Sequence, residues 1–178
     1  MPRARDRLLI ALLVGAVCGL FAAFQEAQAI ASTVHGADVG YWWRAAQLWV
    51  AGESPYRGVP DTADWPFSDY FYYPMPTLLV TWPVQSLPLP AATGIQLGVS
   101  AALLTWALTA SGWWRLWLLA SPGLTLALEL GQWSPLLTAA ALLPALGWAC
   151  AIKPSLGLAH LVYRLTGGRS RQRVRFCC

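Results

Sequence analysis

The sequence predicts an all-α, polytopic transmembrane protein of about six membrane segments, with about four full spans as the alternative. Three observations carry this. Hydrophobic residues fill 57% of the 178 positions and charged residues only 11%, too little charge to coat a soluble domain of this size. The runs Leu8–Gln25, Tyr70–Trp114 and Leu130–Ile152 contain no Asp, Glu, Lys or Arg, and a spanning helix needs about 20 apolar residues. Basic residues gather at the ends, with Arg3, Arg5 and Arg7 before the first run and Arg164, Arg169, Arg171, Arg173 and Arg175 after the last. That pattern places both termini on the cytoplasmic side and requires an even number of spans. It also excludes a nucleic-acid module despite the net charge of +4, because no polar domain carries the charge.

The first helix is expected over 8–30. Its apolar run is longer than that of a cleavable signal, and further membrane segments follow. Glu26, near its end, must face protein or the interface, since a lipid-facing carboxylate is costly. An outer loop over 31–70 holds five of the eight acids: Asp38, Glu53, Asp61, Asp64 and Asp69. Within it, Tyr41, Trp42, Ala45, Leu48 and Trp49 recur at helical spacing and predict a helix over 39–50 lying at the headgroup level. Gly52 ends that helix and Pro55 prevents its return.

The cluster Tyr70–Tyr73 and Pro74 opens a second membrane segment, interrupted by Pro83, Pro88 and Pro90. A third spans about 91–110, where Gly94 and Gly98 permit close helix contact. Trp113, Trp114, Arg115 and Trp117 form an interfacial anchor. The remaining segments are 116–128, which contains Pro122-Gly123, then 136–152, then 156–165. They are separated by Glu129-Leu130-Gly131-Gln132-Trp133 and by Lys153-Pro154. Residues 1–165 thus form one membrane region, and 166–178 a basic, solvated tail that could meet anionic lipid. Cys18 and Cys150 sit in apolar runs as small core residues. The terminal Cys177-Cys178 pair suggests lipidation only weakly, and no metal-type spacing is present.

Among residues able to do chemistry, Asp38 stands first. A carboxylate just past a membrane helix can act as a general base at the membrane surface, or simply cap the following helix. Arg44 and Arg57 are phosphate candidates, with an interfacial anchor and a solvated loop charge as their plainer readings. Tyr56 and the Tyr70–Tyr73 cluster can stack on sugar rings or form an interface belt. Gln132, Glu129 and Lys153 are polar residues between apolar segments, where a partner or a functional role is expected. His35 lies near Asp38 as a proton-transfer assistant or an exposed loop residue. His160 reads as a packing residue.

The order of these motifs resembles glycosyltransferase family 87, polytopic enzymes of the GT-C class. The resemblance rests on Asp38 after the first helix, the aromatic and Ala-rich stretch Tyr41–Val50, and the turn Gly52-Glu53-Ser54-Pro55-Tyr56. It continues through Phe71-Tyr72-Tyr73-Pro74-Met75-Pro76, in which the second proline is displaced by one position, then Gly131-Gln132 and Lys153-Pro154. It implies a hexosyltransferase, often a mannosyltransferase, that moves sugar from a polyprenyl phosphate to a glycan or glycolipid acceptor on the outer face of the plasma membrane. Asp38 would be the base, and Arg44, Tyr56, Arg57, Gln132 and Lys153 would bind substrate. No cofactor or metal is implied. Partners would be membrane lipids, the lipid-linked sugar and the acceptor, with no nucleic acid. Family members are longer, so this sequence resembles the N-terminal part of one. The alternative is a truncated, catalytically incomplete membrane protein or one subunit of a split enzyme. A small transporter would need an internal repeat, and none is evident.

Overall fold

The computed structural model describes residues 2–32, 37–62, 65, 70–155, 157, 158 and 162. His35, Asp64, Asp69, His160 and the basic tail lie outside the described residues. The described part is all-helical, with only an isolated bridge between Thr62 and Trp65.

Two long helices set the frame. Helix α1 is Ala4–Ser32, and helix α2, Val39–Val50, follows a short connection. After a 3-10 turn at Pro55–Arg57 comes α3, Pro76–Thr81, extended by a 3-10 turn at Trp82–Val84. Helix α4 is Leu89–Thr109. A 3-10 segment, Trp113–Ala120, leads to α5, Pro122–Glu129, and α6, Ser134–Leu142. A second 3-10 segment covers Pro144–Ala151.

Among the described residues, only α1 and α4 are long and apolar enough to cross a membrane. At 1.5 Å per residue they reach about 43 Å and about 31 Å, against a hydrocarbon core of about 30 Å. Among the described elements they form the most extensive helix pair. Arg7, early in α1, donates to Thr109 and to the Trp106 carbonyl late in α4. Thr93, early in α4, donates to Glu26, late in α1. The two helices therefore run antiparallel. Their seam is built from glycine on both sides. A Cβ on Gly19 would lie 2.6 Å from the Gly94 carbonyl oxygen, and one on Gly98 would lie 2.8 Å from that of Gly15. The backbones touch because no side chain stands between them, the close approach that small residues on both helices permit. The sequence pointed to Gly94 and Gly98; Gly15 and Gly19 complete the pair.

Two of the other predicted segments are shorter than expected, and the one over 156–165 lies mostly outside the described residues. The helix opening near Phe71 extends only over Pro76–Thr81 before Pro83 tightens it into a 3-10 turn. The run 136–152 breaks at Leu143, whose extended backbone (φ −109°, ψ 105°) precedes Pro144; proline disfavours a helical residue before it. Prolines fall in the first turn of α3, α4, α5 and α6, where a missing N–H leaves no bond unmade.

Helix α2 packs one face against protein. Trp42, Trp43, Ala45, Ala46 and Leu48 are buried in protein. The Trp42 ring stacks on Trp133 at 4.3 Å, and the Trp43 indole donates to the Leu87 carbonyl at 3.0 Å. Periodic aromatics suit a protein core as well as a headgroup layer, and here the core takes them. The predicted anchor stays outside: Trp114 and Trp117 are exposed.

Candidate functional site

Asp38 sits where α1 hands over to α2. It occupies the N-cap position of α2, but its side chain makes no capping bond. The carboxylate instead accepts from the Gln132 side-chain amide. Gln132 in turn accepts, on its side-chain oxygen, a hydrogen bond from Lys153 Nζ at 3.4 Å. These neighbours fix the amide's orientation, since a carboxylate can only accept and an ammonium can only donate. The result is a chain of carboxylate, amide and ammonium joining residues 94 and 21 positions apart.

Local structure explains why Gln132 points there. Helix α5 ends in a Schellman-type cap: Gly131 takes φ +65° and the Gln132 N–H donates to the Ala127 carbonyl at 2.8 Å. This left-handed position is one glycine occupies without steric cost. Gly131 is also crowded, since a Cβ there would lie 2.7 Å from Ala37 Cβ and 3.2 Å from the Asp38 nitrogen. The Asp38 N–H donates to the Leu130 carbonyl at 2.9 Å. Gly131 therefore lets the α5–α6 corner and the α1–α2 corner touch backbone to backbone. The same cap closes α2, with Gly52 at φ +80° and the Glu53 N–H donating to the Leu48 carbonyl.

Lys153 is held from α3, where the buried Thr77 hydroxyl donates to the neighbouring Ile152 carbonyl at 3.1 Å. Its ammonium lies 5.9 Å from the centre of the Tyr73 ring. Tyr73 completes the cluster. Burial, then the Asp38 charge and hydrogen bond, push its phenol up to about 12. The Trp42 indole, edge-on to Tyr73 at 5.2 Å, acts in the opposite direction.

Beneath Asp38 lies Glu26, 1% exposed. Its Oε2 accepts from the Ala37 N–H at 3.3 Å and from Thr93 at 3.5 Å. Glu26 thus holds the N–H of Ala37, the residue immediately before Asp38. Sequence reasoning had Glu26 face protein or the interface but gave it no part in the site. Tyr73 was visible only as one of a run of aromatics.

The other predicted site residues divide. Tyr56 borders the cluster, its hydroxyl donating to the Tyr73 carbonyl at 3.0 Å. Arg44 turns to its own helix and the following loop, donating to Gln47 at 3.1 Å and to the Pro60 carbonyl. Its six-residue offset from Asp38 puts it on another side of the helix. Arg57 lines a separate cavity near the end of α2. Glu129 is exposed, and Lys153 pairs with Gln132 instead of with it.

Among the described residues, no group of three or more His, Cys, Asp or Glu could hold a metal. The site can do two things without one. Its carboxylate can take a proton, and its ammonium can face an anion. Fold and site together define a helical protein with two helices apt to cross a membrane and a carboxylate–amide–ammonium cluster at one end of their hairpin. Comparison with protein-family descriptions, curated proteins and solved structures found no match for the chain.

Proposed function

We propose that the chain is a membrane-embedded hexosyltransferase site, acting on a polyprenyl-phosphate sugar with Asp38 as general base. The supporting observation is the meeting of Asp38, Gln132 and Lys153. These residues come from three separate motifs of the family resemblance, and nothing in their spacing brings them together. The exposed large side chains of α1, among them Leu9, Leu13, Val17 and Leu20, suit contact with lipid.

The reaction balances with the groups present. An acceptor hydroxyl oxygen attacks the anomeric carbon as the bond from that carbon to the phosphate oxygen breaks. The hydroxyl proton passes to Asp38. The polyprenyl phosphate leaves with the bonding pair, and the Lys153 ammonium opposes its charge. Gln132 holds the carboxylate and the ammonium in one arrangement. Single displacement on one face inverts the anomeric centre.

The test is transfer of labelled sugar from polyprenyl-phosphate mannose in membranes containing the full chain. A general base contributes about 10²–10⁴-fold, so Asp38→Asn should lower transfer by that factor while membrane insertion is unchanged. Retained activity in Asp38→Asn removes it from the role. Absence of transfer by the wild type favours a catalytically incomplete protein.

A further inference from the structure

The start of α1 and the end of α4 meet at the opposite end of the hairpin from Asp38. Arg7 fastens them, donating to residues 99 and 102 positions further along, with its guanidinium 4.0 Å from the centre of the Trp106 ring. Pro2 and the turn Ala110–Trp113 line one cavity of about 490 Å³ there. Gly112, at φ +133°, turns the chain out of α4, and none of the eight residues of the 3-10 segment that follows is buried. Three of them are tryptophans; Trp114 is 67% and Trp117 82% exposed, and Leu118 is exposed beside them. No protein core holds these rings.

We propose that this end of the hairpin is an anionic-phospholipid site, in which Arg3, Arg5 and Arg115 hold headgroup phosphates of one leaflet while Trp114 and Trp117 sit among the headgroups. Position is the first support. Helix α4 reaches about 31 Å, the thickness of a hydrocarbon core of about 30 Å. Where the hairpin crosses a bilayer, the residues just after Thr109 therefore lie at headgroup depth, the level that tryptophan rings favour. Charge is the second. Residues 2–7 and 110–120 carry Arg3, Arg5, Arg7 and Arg115 against a single acid, Asp6. Arg7 is committed to α4. Arg3 and Arg5 are exposed. The Arg115 guanidinium lies 5.2 Å from the centre of the Trp114 ring, and its Nε has no acceptor. Among the described residues, none of these three side chains has a hydrogen bond or ion pair. A guanidinium donates to phosphate through two parallel N–H groups. The excess of cations selects a lipid of net negative charge, because the ammonium of a zwitterionic headgroup would meet the same arginines. This surface needs the hairpin to cross a bilayer and owes nothing to the transfer reading.

The experiment uses the full chain carrying the photoreactive substitution Trp117→benzoylphenylalanine, in nanodiscs of equal parts phosphatidylglycerol and phosphatidylcholine. Light joins the residue to what touches it, and mass spectrometry of the surrounding peptide counts each lipid adduct. An arginine near an anionic surface shifts partitioning by about five-fold, so phosphatidylglycerol adducts should exceed phosphatidylcholine adducts by about five-fold or more. Arg115→Gln should lower that ratio several-fold, and adding Arg3→Gln and Arg5→Gln should bring it close to one. Arg57→Gln, at the far end of the hairpin, should leave it unchanged, as should inorganic phosphate compared with chloride at equal ionic strength. Equal adducts of the two lipids, or a ratio that survives loss of Arg3, Arg5 and Arg115 together, overturns the proposal. So does an equal fall in Arg57→Gln, which would mark a bulk effect of charge. Suppression by phosphate would mark a site for soluble anions instead. Adducts to protein alone would take the segment out of the bilayer, and with it the proposal.

Discussion

Replacing Gly131 with alanine should damage the molecule far more than the same change at Gly52. Both glycines lie at positive φ, +65° and +80°, so both substitutions incur the left-handed penalty of about 1–2 kcal/mol. Their surroundings differ. At Gly52 the new methyl meets open space, while at Gly131 it would lie 2.7 Å from Ala37 Cβ and 3.0 Å from Val39 Cγ2. The Ala37 contact is with a side chain that has no further atoms to move aside, so the backbone itself must shift. Overpacking of that kind adds about 1–3 kcal/mol. Gly52→Ala should therefore cost about 1–2 kcal/mol and Gly131→Ala about 2–5 kcal/mol. Unfolding free energies from denaturant titration in mixed micelles measure both. Equal losses in the two variants would refute the close approach of the two corners. The shift at Gly131 should also part Gln132 from Asp38, so transfer should fall in Gly131→Ala and persist in Gly52→Ala.

Two further outcomes follow from the cluster. Tyr73 should ionise near pH 12 instead of its ordinary 10.0, followed by phenolate absorbance. Because the folded state holds the proton more tightly, the stability it confers is full below about pH 10 and is lost as pH rises toward about 12. Asp38→Asn should lower the midpoint while leaving it above the ordinary value, since burial is the larger cause; an unshifted Tyr73 in the wild type would contradict the contact. At Glu26, glutamine keeps an acceptor for the Ala37 N–H and alanine does not. Glu26→Ala should cost about 1–3 kcal/mol for the buried donor left unpaired and lower transfer, with Glu26→Gln close to wild type; equal damage from both would show that the bond to Ala37 is not what Glu26 supplies.

Residue chemistry was legible where polarity interrupts an apolar background. Asp38, Gln132 and Lys153 stand out because a membrane-like sequence has little reason to carry them unless they are paired or used. Their meeting was not legible, since it depends on how the α1–α2 and α5–α6 corners fold onto one another, and a linear spacing of 94 residues holds no such information. Helix length was legible for α1 and α4, whose apolar runs lack internal breaks. It was misjudged over 136–152, where hydropathy continues through Pro144 but the backbone does not. The packing partners of α2 were not legible for another reason: Trp42 and Trp43 have the same periodicity whether a headgroup layer or Trp133 and Leu87 receives them. The glycine seam was half visible, because Gly94 and Gly98 gain meaning only once Gly15 and Gly19 face them.

The antiparallel pairing of α1 and α4 has a consequence for the order in which the protein is made. Asp38 leaves the ribosome early, beside the first long helix. Its partners Gln132 and Lys153 are synthesised only after the second long helix has been completed. The hairpin of α1 and α4 can therefore assemble while Asp38 has Tyr73 beside it but neither Gln132 nor Lys153. The cluster closes only when the α5–α6 corner docks against it, making site completion a late step of biogenesis, separate from helix pairing.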